Sequence, residues 1–214
     1  MDFQQGLITT IHEYGISKDL LKELNKKLKN RPTAILIPCL YEEFERPALK
    51  DIKEVLKDLN GLNELVIALS AKSKEQAKAA KAFFDSMPFP VHIQWTNSPS
   101  VIELLKSQEK NGLELLGTPG KGWAVWQGIG VATRRSEVVA LFDADIRTFS
   151  NLYPSKMILP LLDDSFGISY VKAFYSRLSL ETNELQGRAT RLFVGPLLDS
   201  LEQLVGNGPF LQYL

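Results

Sequence analysis

Val138-Val139-Ala140-Leu141-Phe142 runs directly into Asp143-Ala144-Asp145. A short, continuous apolar run of this kind reads as a strand buried on both faces. Its carboxyl end is where an open parallel sheet binds ligands, and two carboxylates stand there. In extended chain, residues i and i+2 point to the same side. Asp143 and Asp145 would then repel each other unless a cation or donor groups neutralise them. A divalent ion bridging to a diphosphate meets that need, and hard carboxylate oxygens suit Mg²⁺ or Mn²⁺. A solvated acidic turn would be spelled the same way, so the strand before it carries the functional reading.

Working outward, the same strand signature recurs at Thr33-Ala34-Ile35-Leu36-Ile37 and Leu65-Val66-Ile67-Ala68-Leu69, and Val91-His92-Ile93-Gln94-Trp95 alternates as a third strand. Between them the apolar residues take helical spacing. Leu20, Leu21, Leu24 and Leu28 mark a helix from an N-cap at Ser17 to about Lys29. Leu49, Ile52, Leu56 and Leu59 mark another from Pro47 to the Asn60-Gly61 stop. Further helices are expected over 74–85, 100–108, 122–134 and 151–162, a strand over 167–174, and a helix over 187–205 interrupted at Gly195-Pro196. Alternating strands and helices imply an α/β fold, with a mostly parallel central sheet, helices on both faces and right-handed crossovers. Residues 1–32 read as an N-terminal helical segment and 33–214 as the ligand-binding domain. The apolar end Phe210-Leu211-Gln212-Tyr213-Leu214 has no helix stop or strand partner, so the C-terminal part is expected to be missing.

Composition excludes several classes. The 214 residues carry 25 Lys+Arg against 25 Asp+Glu, which argues against a general nucleic-acid or anionic-membrane binder. One cysteine, Cys39, cannot form an intramolecular disulfide, and two histidines leave no zinc constellation. The start Met1-Asp2-Phe3-Gln4-Gln5 has no signal-peptide pattern, and no window is long and apolar enough to span a membrane. The expected location is the cytoplasm, without nucleic-acid or membrane partners.

The other loops narrow the chemistry. Gly117-Thr118-Pro119-Gly120-Lys121-Gly122 lacks the spacing of a P-loop. Yet Gly120-Lys121-Gly122 before a helix offers approachable backbone, a helix N-terminus and a point charge, all suited to an anion. The glycines of Gly128-Ile129-Gly130 lie inside that helical pattern and read as close helix–sheet packing. Pro38-Cys39-Leu40-Tyr41-Glu42-Glu43 follows the first strand, where a carboxylate can accept from a base or ribose, or simply favour the next helix N-terminus. Cys39 reads as a small buried side chain, His92 as a core or edge residue, and Trp95, Trp123 and Trp126 as core. Gln186-Gly187-Arg188-Ala189-Thr190-Arg191 suits either a phosphate or carboxylate clamp, or surface capping.

The order of these motifs resembles that of the glucosyl-3-phosphoglycerate synthase family, retaining glycosyltransferases of the GT-A fold. The matching features are Pro-x-Leu-x-Glu-Glu after strand one, Ser70 after strand two, Gly-Lys-Gly before a helix, Asp-x-Asp, Val171-Lys172-Ala173-Phe174-Tyr175 and Gly-Arg-x-Thr, over roughly residues 33–200. The resemblance implies transfer of glucose from a nucleoside diphosphate glucose to 3-phosphoglycerate, with Mg²⁺ or Mn²⁺ and with retention at the anomeric carbon. It implies that Pro38, Leu40, Glu42 and Ser70 surround base and ribose, and that Lys121 lies near the nucleotide. Asp143 would lie near ribose or glucose and Asp145 would bind the metal, these two with Lys121 forming the catalytic set. Gly187, Arg188 and Thr190 would hold the acceptor, and the departing diphosphate would help deprotonate its hydroxyl. A homodimer is implied for a full-length form. A related transferase with another sugar nucleotide or a glycerate acceptor, or a non-catalytic nucleotide-sugar-binding module, is the alternative. Two departures stand out. The loop after strand two reads Ser70-Ala71-Lys72-Ser73-Lys74, where the family favours small polar residues, and His12 and His92 both precede the Asp-x-Asp, where the family has a metal-binding His downstream.

Overall fold

The computed structural model describes residues 19–109, 112, 115, 117, 119–173, 177–178, 185–186, 193 and 195–206. The chain divides into two compact units, Met1–Ser169 and Tyr170–Leu214.

The first unit is built on four parallel strands: β1 (Thr33–Leu40), β2 (Glu64–Ser70), β3 (Val91–Trp95) and β4 (Val138–Leu141). Their order across the sheet is β3-β2-β1-β4. The chain therefore steps outward from β1 to β3, then returns to the far side of β1. The crevice between the carboxyl ends of β1 and β4 is the switch point at which such sheets take ligands.

Strand β1 runs three residues beyond the apolar core of its sequence signature. Its partner β2 keeps pairing with it, Pro38 with Ala68, Cys39 with Leu69 and Leu40 with Ser70. A proline is tolerated there for a specific reason. The last bond from β4 is Phe142 N–H to the Leu36 carbonyl at 3.0 Å, and the β1–β4 ladder ends at Leu36 and Leu141. Pro38, two residues on, turns its missing donor toward the side that β4 has left.

The two faces of the sheet are covered differently. One presents Ile35, Ile37, Leu65, Ile67 and Leu69, all fully buried. Helices α1 (Leu20–Leu28), α2 (Pro47–Leu56) and α6 (Leu152–Leu162) contribute to that core, with Leu24, Leu49, Ile52, Leu56 and Ile158 fully buried. The other face presents Ala34, Leu36, Val66 and Ala68 to α5 (Lys121–Ala132). A Cβ added at Gly128 would collide with the Leu36 side chain and crowd Ala68, whereas one at Gly130 would meet nothing within 4 Å. Close packing thus explains Gly128 and not Gly130.

Local chemistry sets the element ends. Asp19 caps α1, its side chain accepting from Lys22 N–H at 3.0 Å, while Ser17 lies outside the described residues. Ser73 caps α3 (Lys74–Phe83), accepting from Gln76 N–H at 3.3 Å. Helix α4 (Pro99–Glu109) follows β3. The strand expected over 167–174 does not form over 167–173. Gly167 takes a left-handed φ of 59°, closing the 3₁₀ turn Asp164–Phe166, and the residues after it join no ladder among the described residues. Phe174 lies outside them. Trp126 is exposed on α5 rather than in the core, because α5 turns Ala124, Gln127 and Gly128 inward instead.

The second unit contains an antiparallel pair, β5 (Arg177–Leu178) with β6 (Leu185–Gln186), and helix α7 (Gly195–Val205). The described residues start this helix at the Gly195-Pro196 break; the expected span 187–192 lies outside them. No helix among the described residues is long and apolar enough to cross a membrane.

Candidate functional site

The switch point gathers the ends of β1, β2 and β4 and the beginning of α5. After Phe142 the chain does not stay extended but turns at Ala144-Asp145. Phe142 and Ala144 are buried, Asp143 is half-buried and Asp145 is exposed. Edge-on packing of Phe142 against Phe149, with ring centroids 5.3 Å apart, closes this loop back onto the core. The two carboxylates thus occupy different surroundings, which replaces the extended same-side arrangement expected from the sequence.

Lys121, at the first position of α5, donates from Nζ to Asp143 Oδ1 at 2.5 Å. This contact ties the start of α5 to the end of β4 across 22 residues of sequence. Asp143 is therefore neutralised by a lysine, and Asp145 is left as the exposed carboxylate beside it. No side chain caps α5. The first N–H groups of a helix have no intrahelical acceptor, so this end favours an anion. A Cβ at Gly122 would meet nothing within 4 Å, so the backbone there is open to close approach.

At the other side of the site, Leu40 is exposed and Ser70 is its register partner in β2. Glu42 lies in the 3₁₀ turn Tyr41–Glu45 and accepts from Lys72 Nζ at 2.7 Å. That hydrogen bond holds the Glu42 carboxyl below its ordinary pKa. Its neighbour Glu43 points inward and accepts from Arg46 at 2.7 Å. Cys39 is buried, and burial with the charges of Glu43 and Glu42 pushes its thiol up to about 12. A thiol so far from ionisation is no nucleophile at neutral pH, in keeping with the packing role read from the sequence.

The loop after β2 is braced from β3 and its flank. Asn97 Oδ1 accepts from Ala71 N–H at 3.1 Å and from Trp95 Nε1 at 2.9 Å, and Trp95 Nε1 also reaches the Ala71 carbonyl at 3.0 Å. Behind it, Gln127 of α5 donates to the Thr96 carbonyl at 3.2 Å and accepts from Gln94 at 3.1 Å. Lys72, Asn97 and the indole N–H of Trp95 were missed by sequence reading. Only the unusual Lys in a loop expected to be small and polar could have flagged them.

Among the described residues no three His, Cys, Asp or Glu side chains converge as a self-contained metal cage. Mg²⁺ typically binds through one or two carboxylates and takes its remaining oxygens from phosphates and water. One exposed carboxylate, Asp145, in the turn after β4 fits that mode. Structure thus brings Lys121 and Asp143 together at the start of α5, with Asp145 exposed in the turn after β4, and places Leu40, Glu42 and Ser70 around the ends of β1 and β2. Gly187, Arg188 and Thr190 lie outside the described residues.

No protein-family model matches the chain. A glucosyl-3-phosphoglycerate synthase of Methanococcoides burtonii is 37% identical over 214 residues, covering 100% of this chain and 53% of that relative. One from Persephonella marina is 32% identical over 216 residues, covering 99% and 53%. The chain is homologous to the glucosyl-3-phosphoglycerate synthases. It spans about half the length of the curated synthases it matches. Among solved structures, the Mycobacterium tuberculosis synthase with Mg²⁺ and uridine diphosphate superposes with a TM-score of 0.58 at 25% identity, over 92% of this chain and 58% of that one. The same synthase with Mn²⁺, uridine diphosphate glucose and phosphoglyceric acid gives a TM-score of 0.58 at 24% identity and the same coverage. The fold expected from the sequence, an α/β sheet of the GT-A type, is thereby established.

Proposed function

We propose that this chain is the nucleotide-sugar-binding part of a retaining, divalent-metal-dependent hexosyltransferase that moves glucose from a nucleoside diphosphate glucose to 3-phosphoglycerate. The observation that carries the reading is the Lys121–Asp143 pair, which joins an uncapped helix start to the end of β4 with Asp145 exposed beside it. The homology to synthases over the whole chain supports it.

In this reading Pro38, Leu40, Glu42 and Ser70 bind base and ribose. Glu42 accepts from sugar hydroxyls, and Lys121 leaves part of its bond with Asp143 to meet the diphosphate. Asp143, half-buried, is the acceptor for a ribose or glucose hydroxyl. Asp145 holds Mg²⁺ or Mn²⁺, which when bound offsets the charge on the departing diphosphate. Gly187, Arg188 and Thr190 take the phosphate and carboxylate of the acceptor, a task for which Arg is suited by its planar fork of donors. A cytoplasmic location and a homodimer of the full-length form belong to the same proposal. A second reading, a transferase using another sugar nucleotide, is favoured by Lys72, which stands where small polar residues are expected.

Titration of the chain with uridine and guanosine diphosphate glucose, with and without Mg²⁺, tests the reading by calorimetry. Saturable binding strengthened by Mg²⁺ is expected with one of the two. Asp145→Asn is expected to remove the Mg²⁺-dependent part. Equal binding by wild type and variant would overturn the metal assignment, and no binding of either donor would overturn the function.

A further inference from the structure

We propose that Lys72 is a positioning residue for the donor: it fixes the Glu42 carboxylate at the edge of the nucleotide subsite and thereby sets donor affinity. This inference rests on the reading of the site given above.

The geometry is specific. Leu40 and Ser70 are the last registered pair of β1 and β2, and Glu42 and Lys72 each lie two residues beyond it. Their side chains meet across the gap, Lys72 Nζ donating to Glu42 Oε1 at 2.7 Å. Glu42 leaves β1 on a 3₁₀ turn, where its carboxylate takes a local backbone hydrogen bond in addition to the one from Lys72. The backbone that carries Lys72 is well anchored. Its N–H donates to Gln76 Oε1 at 2.7 Å, and the preceding Ala71 is held through both N–H and carbonyl by Asn97 and Trp95. Ser73, on the other side, caps α3. A braced loop therefore presents the ammonium, and the ammonium fixes the carboxylate.

Stability does not account for this arrangement. The Lys72 side chain is 80% exposed and that of Glu42 49% exposed, and pairs so open to water add little to folding. Holding a long lysine in one geometry also costs side-chain entropy. Ligand binding does account for it. A carboxylate offers about four lone-pair sites, so the bond to Lys72 leaves capacity for a pair of sugar hydroxyls. A fixed acceptor loses less freedom on binding than a mobile one.

The test is a double-mutant cycle read by calorimetry with the nucleoside diphosphate glucose that the wild-type chain binds, with melting temperatures recorded alongside. Lys72→Ala is expected to weaken donor binding about fivefold, within the range of coupled neighbours. Its melting temperature should stay within about 2 °C of wild type, as for an open surface pair. Lys72→Arg should restore most of the affinity. In a Glu42→Ala background, Lys72→Ala should add little further loss. Additive losses would mean that Lys72 touches the donor itself and would overturn the positioning role. Loss of affinity together with a lowered melting temperature, unrescued by Arg, would overturn it as structural. Wild-type binding with an unchanged Lys72→Ala would sink this inference alone, whereas no wild-type binding would sink the functional reading on which it rests.

Discussion

One face of the sheet is thick and the other thin. The thick face fills the space under α1, α2 and α6 with Ile35, Ile37, Leu65, Ile67 and Leu69. The thin face closes α5 onto Ala34, Leu36, Val66 and Ala68, with Gly128 admitting the Leu36 side chain. At about 1.5–3 kcal/mol for each large aliphatic side chain fully buried, the thick face carries most of the folding energy. The thin face gains less from burial and instead sets where the start of α5, with Lys121, lies over the end of β4. The start of α5 is thus set from the thin side, while the loop after β4 is anchored on the thick side through Phe142, Ala144 and Phe149.

Substitutions can break or sharpen that division. The largest effect is expected on the thick side: Ile67→Ala should cost about 2–5 kcal/mol in denaturant unfolding, with donor affinity of the folded fraction unchanged. A matching loss of affinity would erase the distinction between faces. On the thin side, Gly128→Val should cost about 1–3 kcal/mol from overpacking and should also weaken donor binding, because the clash with the Leu36 methyls and the crowding of Ala68 push α5 off the sheet. Stability lost without affinity would show that α5 does not set the site. The smallest effect concerns Cys39, at the carboxyl end of the thick face. Its thiol is raised to about 12, so thiolate is scarce at pH 8 and appears only as pH rises toward that value. Ellman's reagent should therefore react slowly with the folded chain and fully once it is unfolded. Rapid labelling in the folded state would mean that this face is not sealed where it meets the site.

Much of this architecture could be read from residues alone, because its signals are local. Runs such as Leu65–Leu69 and Val138–Phe142 state their own burial, and the spacing of Leu49, Ile52 and Leu56 states a helix face. What escaped was whatever a neighbour decides. Strand β1 reaches Leu40 because β2 extends alongside it, and over 168–173 no ladder forms among the described residues. Trp126 is exposed because α5 buries its small residues, an inversion that hydrophobicity does not reveal. At the site, Asp143, Asp145 and Lys121 were each legible by type and position. The pairing of Asp143 with Lys121, the turn that separates the two aspartates and the Glu42–Lys72 contact all depend on tertiary placement.

Pro38 has a consequence for how the crevice stays open. Two strands that part company in a parallel sheet can in principle zip further, each new residue adding a hydrogen bond. At Pro38 the next rung facing β4 has no hydrogen to offer, so the seam cannot advance by that step whatever the loop after Phe142 does. Proline thus removes the one rung by which the crevice would first narrow, and restoring an N–H at that position would make that rung available.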